Sequence, residues 1–194
     1  MSNLLIIDVQ HTYAVWVTNT TILEDIPVLA KQYSNIIYLW DNVSGQELYD
    51  EVPDDWMQTS EDNEESFYDS FNKIIEKQYG FFRDLMDSSK LNIDTDDIIL
   101  LGKFMLKEKI TDMREIYDDA KLEKKINNTF KNNNIKNINF NDHTFTFPSD
   151  LAEELKQYSS LTVVGGGLDE CLKEVCILLD ILDISYNIDL AYCY

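Results

Sequence analysis

The stretch Leu161-Thr-Val-Val-Gly-Gly-Gly-Leu-Asp-Glu-Cys171, which a regular apolar helical pattern follows, decides the fold of this chain. Its first residues are typical of a buried strand, three glycines then interrupt that strand, and Cys171 falls in the first turn of the next helix. Such a turn places backbone N–H groups and one side chain at the carboxyl edge of a sheet, where open α/β sheets bind their ligands. The stretch therefore predicts a fold class and the position of a functional site.

Apolar runs elsewhere predict the remaining strands. They cover residues 4–8, 35–40, 98–103 and, as a closing strand, 185–192. Helical patterns lie between them, at residues 20–32, 61–88, 111–130 and 168–182. This alternation predicts one α/β domain over residues 1–194, with a three-layer Rossmann-like fold and a mainly parallel sheet. We expect an acidic loop at about 41–66 and a small β-hairpin insertion at about 138–147.

The composition excludes several classes of protein. The formal net charge of −20 repels nucleic acid phosphates and anionic membrane surfaces. No apolar run approaches the roughly 18 residues that span a bilayer, and the first residues do not resemble a signal peptide. Three cysteines do not form a disulfide framework. We therefore expect a reduced cytoplasmic protein that binds neither nucleic acid nor membranes.

One stretch concentrates the negative charge. No Lys or Arg occurs between Gln32 and Asn72, whereas eleven Asp or Glu residues occur from Asp41 to Asp69. Such a stretch is typical of a solvated loop, but it also fits a docking surface for a basic protein partner.

Cys171 is the candidate nucleophile. A helix N-terminus lowers the pKa of a thiol, whereas the neighbouring charges of Asp169 and Glu170 raise it. A reactive Cys171 therefore needs a base and a cation nearby. Asp8 and Lys103 end two predicted strands at the same edge of the sheet, and a charge pair at about 4 Å contributes up to roughly 4 kcal/mol there. Cys176 and Cys193 are expected to be inert.

These residues are similar to a known family. Asp8-Val-Gln10, with Tyr13 three residues on, resembles the opening Asp-x-Gln-x-x-Phe of the isochorismatase-like cysteine hydrolases, which include nicotinamidases. Lys103 and Cys171 follow in the order Asp, Lys, Cys of that family. The resemblance implies that Asp8 accepts a proton, that Lys103 stabilises charge, and that Cys171 attacks an amide-type carbonyl.

The resemblance also implies a substrate site around these three residues, with an oxyanion site at the backbone near Gly167 and Leu168. We expect the substrate-binding residues to be Gln10, His11, Tyr13, Asp41, Gly166, Gly167 and Leu168. Nothing after Asp41 provides the histidines of the nicotinamidase metal site, so no metal and no other cofactor is expected. Residues 76–87 and 165–174 also resemble segments of uncharacterised tailed-phage proteins, which would place the chain in a host cytoplasm.

Two other functions stay open. The chain fits a non-catalytic acidic binding protein whose partner is basic. It also fits a metal-dependent phosphoesterase in which Asp8, Asp41, Asp169 and Glu170 hold Mg²⁺ or Mn²⁺. The expected ligands are thus a small-molecule substrate or a basic protein, and assembly into a homo-oligomer stays open as well.

Overall fold

Five strands alternate with helices in the computed structural model, which describes residues 2–13, 21–43, 45–59, 64–77, 80–86, 94–135 and 145–194. The strands are β1 (Asn3–Ile7), β2 (Asn35–Asp41), β3 (Lys73–Lys77), β4 (Ser160–Gly165) and β5 (Ser185–Cys193). The helices are α1 (Ile22–Ala30), α2 (Leu48–Glu51), α3 (Asp54–Met57), α4 (Arg83–Met86), α5 (Thr95–Glu108), α6 (Arg114–Asp118), α7 (Ala120–Asn132), α8 (Ser149–Leu155) and α9 (Cys171–Ile181). Short 3₁₀ turns cover His11–Tyr13 and Tyr68–Ser70.

The strands form one parallel sheet in the order β3-β2-β1-β4-β5. The chain builds outward from β1 to β3, and then crosses to the other side of β1 to add β4 and β5. The strand order therefore reverses between β1 and β4, and open parallel sheets bind ligands at the carboxyl ends of the strands that flank such a point.

Helices cover both faces of the sheet, which confirms the predicted three-layer α/β fold. One face carries Leu5, Ile7, Leu39 and Val163 against helices α5, α7, α8 and α9. The opposite face carries Leu4, Ile6, Tyr38 and Val164 against α1 and Trp56 of α3. All five residues of β1 are buried because this strand has neighbours on both sides and a layer on each face.

Two predicted elements are wrong. The helix predicted over residues 61–88 contains strand β3, and the strand predicted over residues 98–103 belongs to helix α5. The side chain of Asp94 caps α5 by accepting a hydrogen bond from the N–H of Asp97 at 2.9 Å. Four consecutive apolar residues within α5 imitate the pattern of a buried strand.

Three smaller predictions have mixed outcomes. The helix predicted over 111–130 is divided into α6 and α7 at Asp119, which caps α7. The predicted acidic loop contains the short helices α2 and α3. Most of the hairpin predicted at about 138–147 lies outside the described residues, as does His143, although Thr146 forms a bridge with Asp112.

Within the described part of the chain, no helix combines the length and apolarity needed to cross a bilayer.

Candidate active site

The ends of four parallel strands bring charged and nucleophilic groups to one edge of the sheet. Asp8 directly follows β1, Asp41 ends β2, and Lys77 ends β3. The glycine turn that follows β4 leads to Cys171, the first residue of α9. Because all of the strands run in the same direction, these four side chains meet at the point where the strand order reverses.

Lys77 lies between two buried carboxylates. Its Nζ is 3.0 Å from Asp8 Oδ2 and 2.8 Å from Asp41 Oδ2, and none of the three side chains is more than 1% exposed. Burial acts to lower the pKa of Lys77, but the neighbouring acidic groups, of which Asp8 has the largest effect, outweigh it and hold that pKa above its ordinary value. The ammonium group therefore stays charged and partly neutralises both carboxylates.

Burial acts on the pKa values of the two carboxyl groups in the opposite sense, because it disfavours their negative charge. Burial raises the pKa of Asp8 and that of Asp41, while the charge of Lys77 opposes the change at each of them. Neither Asp8 oxygen has a well-directed hydrogen bond among the described residues, and the charge of Lys77 is the largest influence that favours the ionised carboxylate. Such a carboxylate is suited to accept a proton.

The backbone of Asp8 is strained. Its φ is 52°, in the left-handed region that residues other than glycine rarely adopt. The Asp8 N–H nevertheless donates to the carbonyl of Leu39 at 2.9 Å, which ties the turn to β2. Left-handed geometry costs most residues about 1–2 kcal/mol, and Asp and Asn adopt it more readily than other residues with a side chain. Strain of this kind concentrates at functional sites. The fold thus holds the Asp8 carboxylate at the edge of the sheet at an energetic cost.

The Cys171 thiol is buried and lies beside charged groups. Its side chain interacts with Asp8, and an Nη2–H of Arg83 donates to Sγ at 3.4 Å. Burial and the Asp8 charge raise the pKa of Cys171 to about 12, against the opposing charges of Lys77 and Arg83. The resting thiol is therefore protonated at neutral pH, and Asp8 is the adjacent group that can accept its proton.

A cavity of about 320 Å³ lies beside Asp8 and Cys171, which both line it. Its walls are Asp8, Tyr13, residues 166–171 and Tyr194. The hydroxyl of Tyr194 donates to the Asp8 carbonyl at 2.6 Å, so one aromatic wall is fixed to the same turn as the carboxylate. The size of the cavity suits a small molecule.

The glycines after β4 are required by close packing at this cavity. At Gly165, where φ is 107°, a Cβ would lie 2.1 Å from the carbonyl oxygen of Ile7. At Gly166, a Cβ would lie 2.0 Å from the Tyr194 hydroxyl. The glycine run thus lets the turn pass against β1 and leaves room for the Tyr194 ring.

The expected oxyanion site at Gly167 and Leu168 is only partly available. The Leu168 N–H donates to the carbonyl of Tyr194 at 3.2 Å, so it is already used. In the part of the chain that the structure describes, no acceptor contacts the N–H of Gly167 or that of Cys171. The first amide of α9 is therefore a better candidate than Leu168 to stabilise an oxyanion beside the sulfur.

The structure does not bring Lys103 to the site, and its predicted position at a strand end is wrong. Lys103 lies on α5, 40% exposed, with Nζ 2.6 Å from Asp183 Oδ1. Lys77 occupies the position beside Asp8 that the sequence interpretation gave to Lys103. The signal for Lys77 is weak because Lys73–Lys77 contains only two consecutive apolar residues.

Four of the predicted substrate-binding residues, Tyr13, Gly166, Gly167 and Leu168, line the cavity. Gln10, His11 and Asp41 do not. The Gln10 side chain is buried and braces β2, because its Nε2 donates to the Asp41 carbonyl at 2.7 Å and its Oε1 accepts from the Asp41 N–H at 2.9 Å. His11 is partly exposed, and its Nε2 lies 3.6 Å from Asp54 Oδ1.

Sequence reasoning missed Arg83 and Glu174 as well. Arg83 follows the turn at Gly80, whose φ is 63°. Glu174 lies one turn after Cys171 on the buried side of α9. A glutamate within an apolar helical stripe was the available signal, because buried carboxyl groups are rare without a partner.

The described residues contain no group of three or more His, Cys, Asp and Glu side chains that could hold a metal ion. The Lys77 ammonium group lies between Asp8 and Asp41, where a cation shared by these two carboxylates would bind. Asp169 and Glu170 lie at the cavity mouth. The Mg²⁺ or Mn²⁺ site of the alternative phosphoesterase function is therefore not supported by the geometry.

Comparison of this chain with protein-family models, with curated proteins and with solved structures finds no match.

Proposed function

We propose that this protein is a cysteine hydrolase that acts on a small amide or a related carbonyl compound. The observation that carries the proposal is the contact of 3.0 Å between Lys77 Nζ and Asp8 Oδ2 beside Cys171, a residue that lines a cavity. With Lys77 in place of Lys103, the order Asp, Lys, Cys of the isochorismatase-like hydrolases is retained.

The proposed reaction has two stages. Asp8 takes the thiol proton as Sγ of Cys171 attacks the carbonyl carbon, and it then gives that proton to the leaving nitrogen as the C–N bond breaks. A water molecule next attacks the thioester while Asp8 takes its proton, and Asp8 returns that proton to the sulfur as the C–S bond breaks. Lys77 keeps the carboxylate ionised between these steps.

The cavity favours neutral or cationic substrates over anionic ones. Asp169 and Glu170 add negative charge to its mouth, and the whole chain carries a formal charge of −20. Tyr13, Leu168 and Tyr194 supply apolar walls for the remainder of the molecule. A small uncharged amide meets both conditions.

The first experiment measures alkylation of the folded protein by iodoacetamide, read at each cysteine by peptide mass spectrometry. We expect Cys171 to react before Cys176 and Cys193, and Lys77→Met to slow it by at least about tenfold, because Lys77 lowers the pKa of the thiol. The matched control Lys103→Met should leave the rate unchanged. Equal rates at all three cysteines would contradict the proposal.

A second experiment tests Asp8 as the base, with p-nitrophenyl acetate as a generic acyl donor. The Asp8 charge raises the pKa of Cys171, so Asp8→Asn should still be acylated. Without a base to activate water, the acetyl group should then accumulate on Cys171, whereas the wild-type protein turns over. Equal turnover in both proteins would remove Asp8 from the mechanism.

A second candidate function, binding of a basic protein, is favoured by one surface. Asp50, Asp54 and Asp55 are exposed there together with Tyr49, which is 65% exposed. Glu51 is not part of this surface, because it is buried and accepts hydrogen bonds from Thr12.

The test is binding of a lysine-rich peptide, followed by fluorescence anisotropy. Neutralising Asp50, Asp54 and Asp55 together should weaken binding, whereas Cys171→Ala should not. A variant with the same change in net charge neutralises three exposed acids elsewhere, namely Asp96, Asp118 and Glu123. Equal losses in the two triple variants would show attraction by total charge rather than a docking surface.

A further inference from the structure

Glu174 is a buried carboxyl group that the proposed reaction does not use. It lies on α9 one helical turn after Cys171, and it is 1% exposed. Apolar residues surround its position on the helix, including Leu172, Val175 and Leu178. Glutamate is almost never fully buried unless it is paired, so its partners indicate what it does.

The Glu174 carboxyl holds the turn that precedes α4. Its Oε1 accepts a short hydrogen bond from the backbone N–H of Phe82, whose side chain is fully buried. Its Oε2 is buried with no hydrogen-bond partner among the described residues. Through one oxygen, therefore, the helix of Cys171 is joined to the backbone at residue 82.

This connection controls the position of the next residue. Arg83 is bonded to Phe82 through a peptide unit, and the Arg83 N–H closes the turn on the Gly80 carbonyl at 3.3 Å. The Arg83 guanidinium reaches back across the site, with Nη2 3.4 Å from Cys171 Sγ and 3.6 Å from Glu170 Oε2. A side chain that spans this distance depends on a fixed backbone at its base.

We propose that Glu174 is a positioning residue that anchors the turn at residues 80–83 and so keeps the Arg83 guanidinium against the Cys171 thiol. This inference rests on the proposed role of Cys171 as a nucleophile. The positive charge of Arg83 stabilises the thiolate that forms when Asp8 takes the proton. Glu174 acts through Arg83 and touches neither the sulfur nor the substrate.

Two conservative variants separate position from charge. Glu174→Gln keeps the reach of the side chain and an oxygen that can accept from Phe82, but it removes the charge. Glu174→Asp keeps the charge, but it is one methylene shorter and withdraws the carboxyl from Phe82. A positioning role predicts that Glu174→Asp is the damaging change, whereas a purely electrostatic role predicts the reverse.

The measurement is the ratio of the Cys171 alkylation rates with iodoacetate, which is anionic, and with iodoacetamide, which is neutral. Arg83→Gln should lower this ratio by about fivefold, the effect of one unit charge at about 4 Å in water. Glu174→Asp should lower it equally, and Glu174→Gln should leave it within about twofold of the wild-type value. In Glu174→Asp combined with Arg83→Gln, no further loss should occur.

An unchanged ratio in Glu174→Asp would overturn the inference, even if that variant is less stable. If wild-type Cys171 is not alkylated at all, the proposed function loses its nucleophile, and crystal structures of the two Glu174 variants decide the inference alone. Loss of the Arg83–Cys171 contact in Glu174→Asp but not in Glu174→Gln supports it. Retention of that contact in both variants overturns it.

Discussion

Two lysine–aspartate pairs in this protein have similar lengths and opposite surroundings. Lys103 lies on α5, and its Nζ is 2.6 Å from Asp183 Oδ1 at the protein surface. The two side chains are 40% and 81% exposed. Lys77 Nζ lies 3.0 Å from Asp8 at the edge of the sheet, where neither side chain is more than 1% exposed. Distance alone would favour the surface pair, but burial makes the longer contact the important one. Water screens the first pair, whereas loss of Lys77 from the second would leave buried carboxylates without their cation.

The largest expected effect is on stability when Lys77 is removed. Lys77→Met leaves the Asp8 and Asp41 carboxylates buried beside each other, and breaking a buried ion pair in this way costs about 3–5 kcal/mol. Lys103→Met should change the free energy of unfolding by less than about 1 kcal/mol. Urea denaturation of both variants measures the difference. Losses of equal size would show that burial does not distinguish the two pairs.

A second prediction concerns pH and the buried carboxyl of Glu174. Burial raises the pKa of Glu174 to about 7 in the folded protein, above its ordinary value of 4.5. The folded state thus holds this proton more tightly than the unfolded state does. The resulting stability is fully present below pH 4.5 and is lost as the pH rises through 7.

The expected size of this change follows from those two values. Relative to Glu174→Gln, the wild-type free energy of unfolding should fall by about 3 kcal/mol between acidic conditions and about pH 8. The surface control is Glu153→Gln, which removes an exposed pair with Lys156 and should matter little at either pH. Parallel curves for wild type and Glu174→Gln would contradict the prediction.

A smaller effect distinguishes the two aspartates. Asp8→Asn removes one of two carboxylates that share a single ammonium group. Asn also adopts a φ of 52° readily, so the substitution adds no backbone strain. We expect a gain in stability of about 1 kcal/mol together with the loss of thioester hydrolysis, as is common at strained active sites. Asp183→Asn should leave the stability within about 0.5 kcal/mol. A destabilised Asp8→Asn would show that the buried carboxylate contributes to folding.

The same contrast explains how much of the fold and of the site could be predicted from the sequence. Strands β1, β2, β4 and β5 are predictable because each contains an apolar run or an apolar face. Strand β3 lies at the edge of the sheet, and its outer positions are partly exposed. It therefore lacks the pattern of a buried strand, while an apolar run in α5 displays it.

The site follows the same division. Asp8 and Cys171 are predictable because each directly follows a recognisable strand, or a strand and a glycine turn. The choice between Lys77 and Lys103 depends on which segment is the third strand, and no local pattern decides that. The link from Glu174 through Phe82 to Arg83 joins positions about 90 residues apart, so it requires the tertiary structure.

The smallest expected effect is the coupling energy of the surface pair Lys103–Asp183. A double-mutant cycle with Lys103→Met and Asp183→Asn should give a coupling energy of about 0.2–1 kcal/mol at low salt. In about 1 M NaCl the Debye length falls to roughly 3 Å, so this coupling should largely disappear. The corresponding cycle with Lys77→Met and Asp8→Asn should keep most of its coupling energy, because ions do not reach side chains that are closed to water. If salt weakened both cycles equally, solvent would enter the edge of the sheet, and burial could not be the reason that Lys77 differs from Lys103.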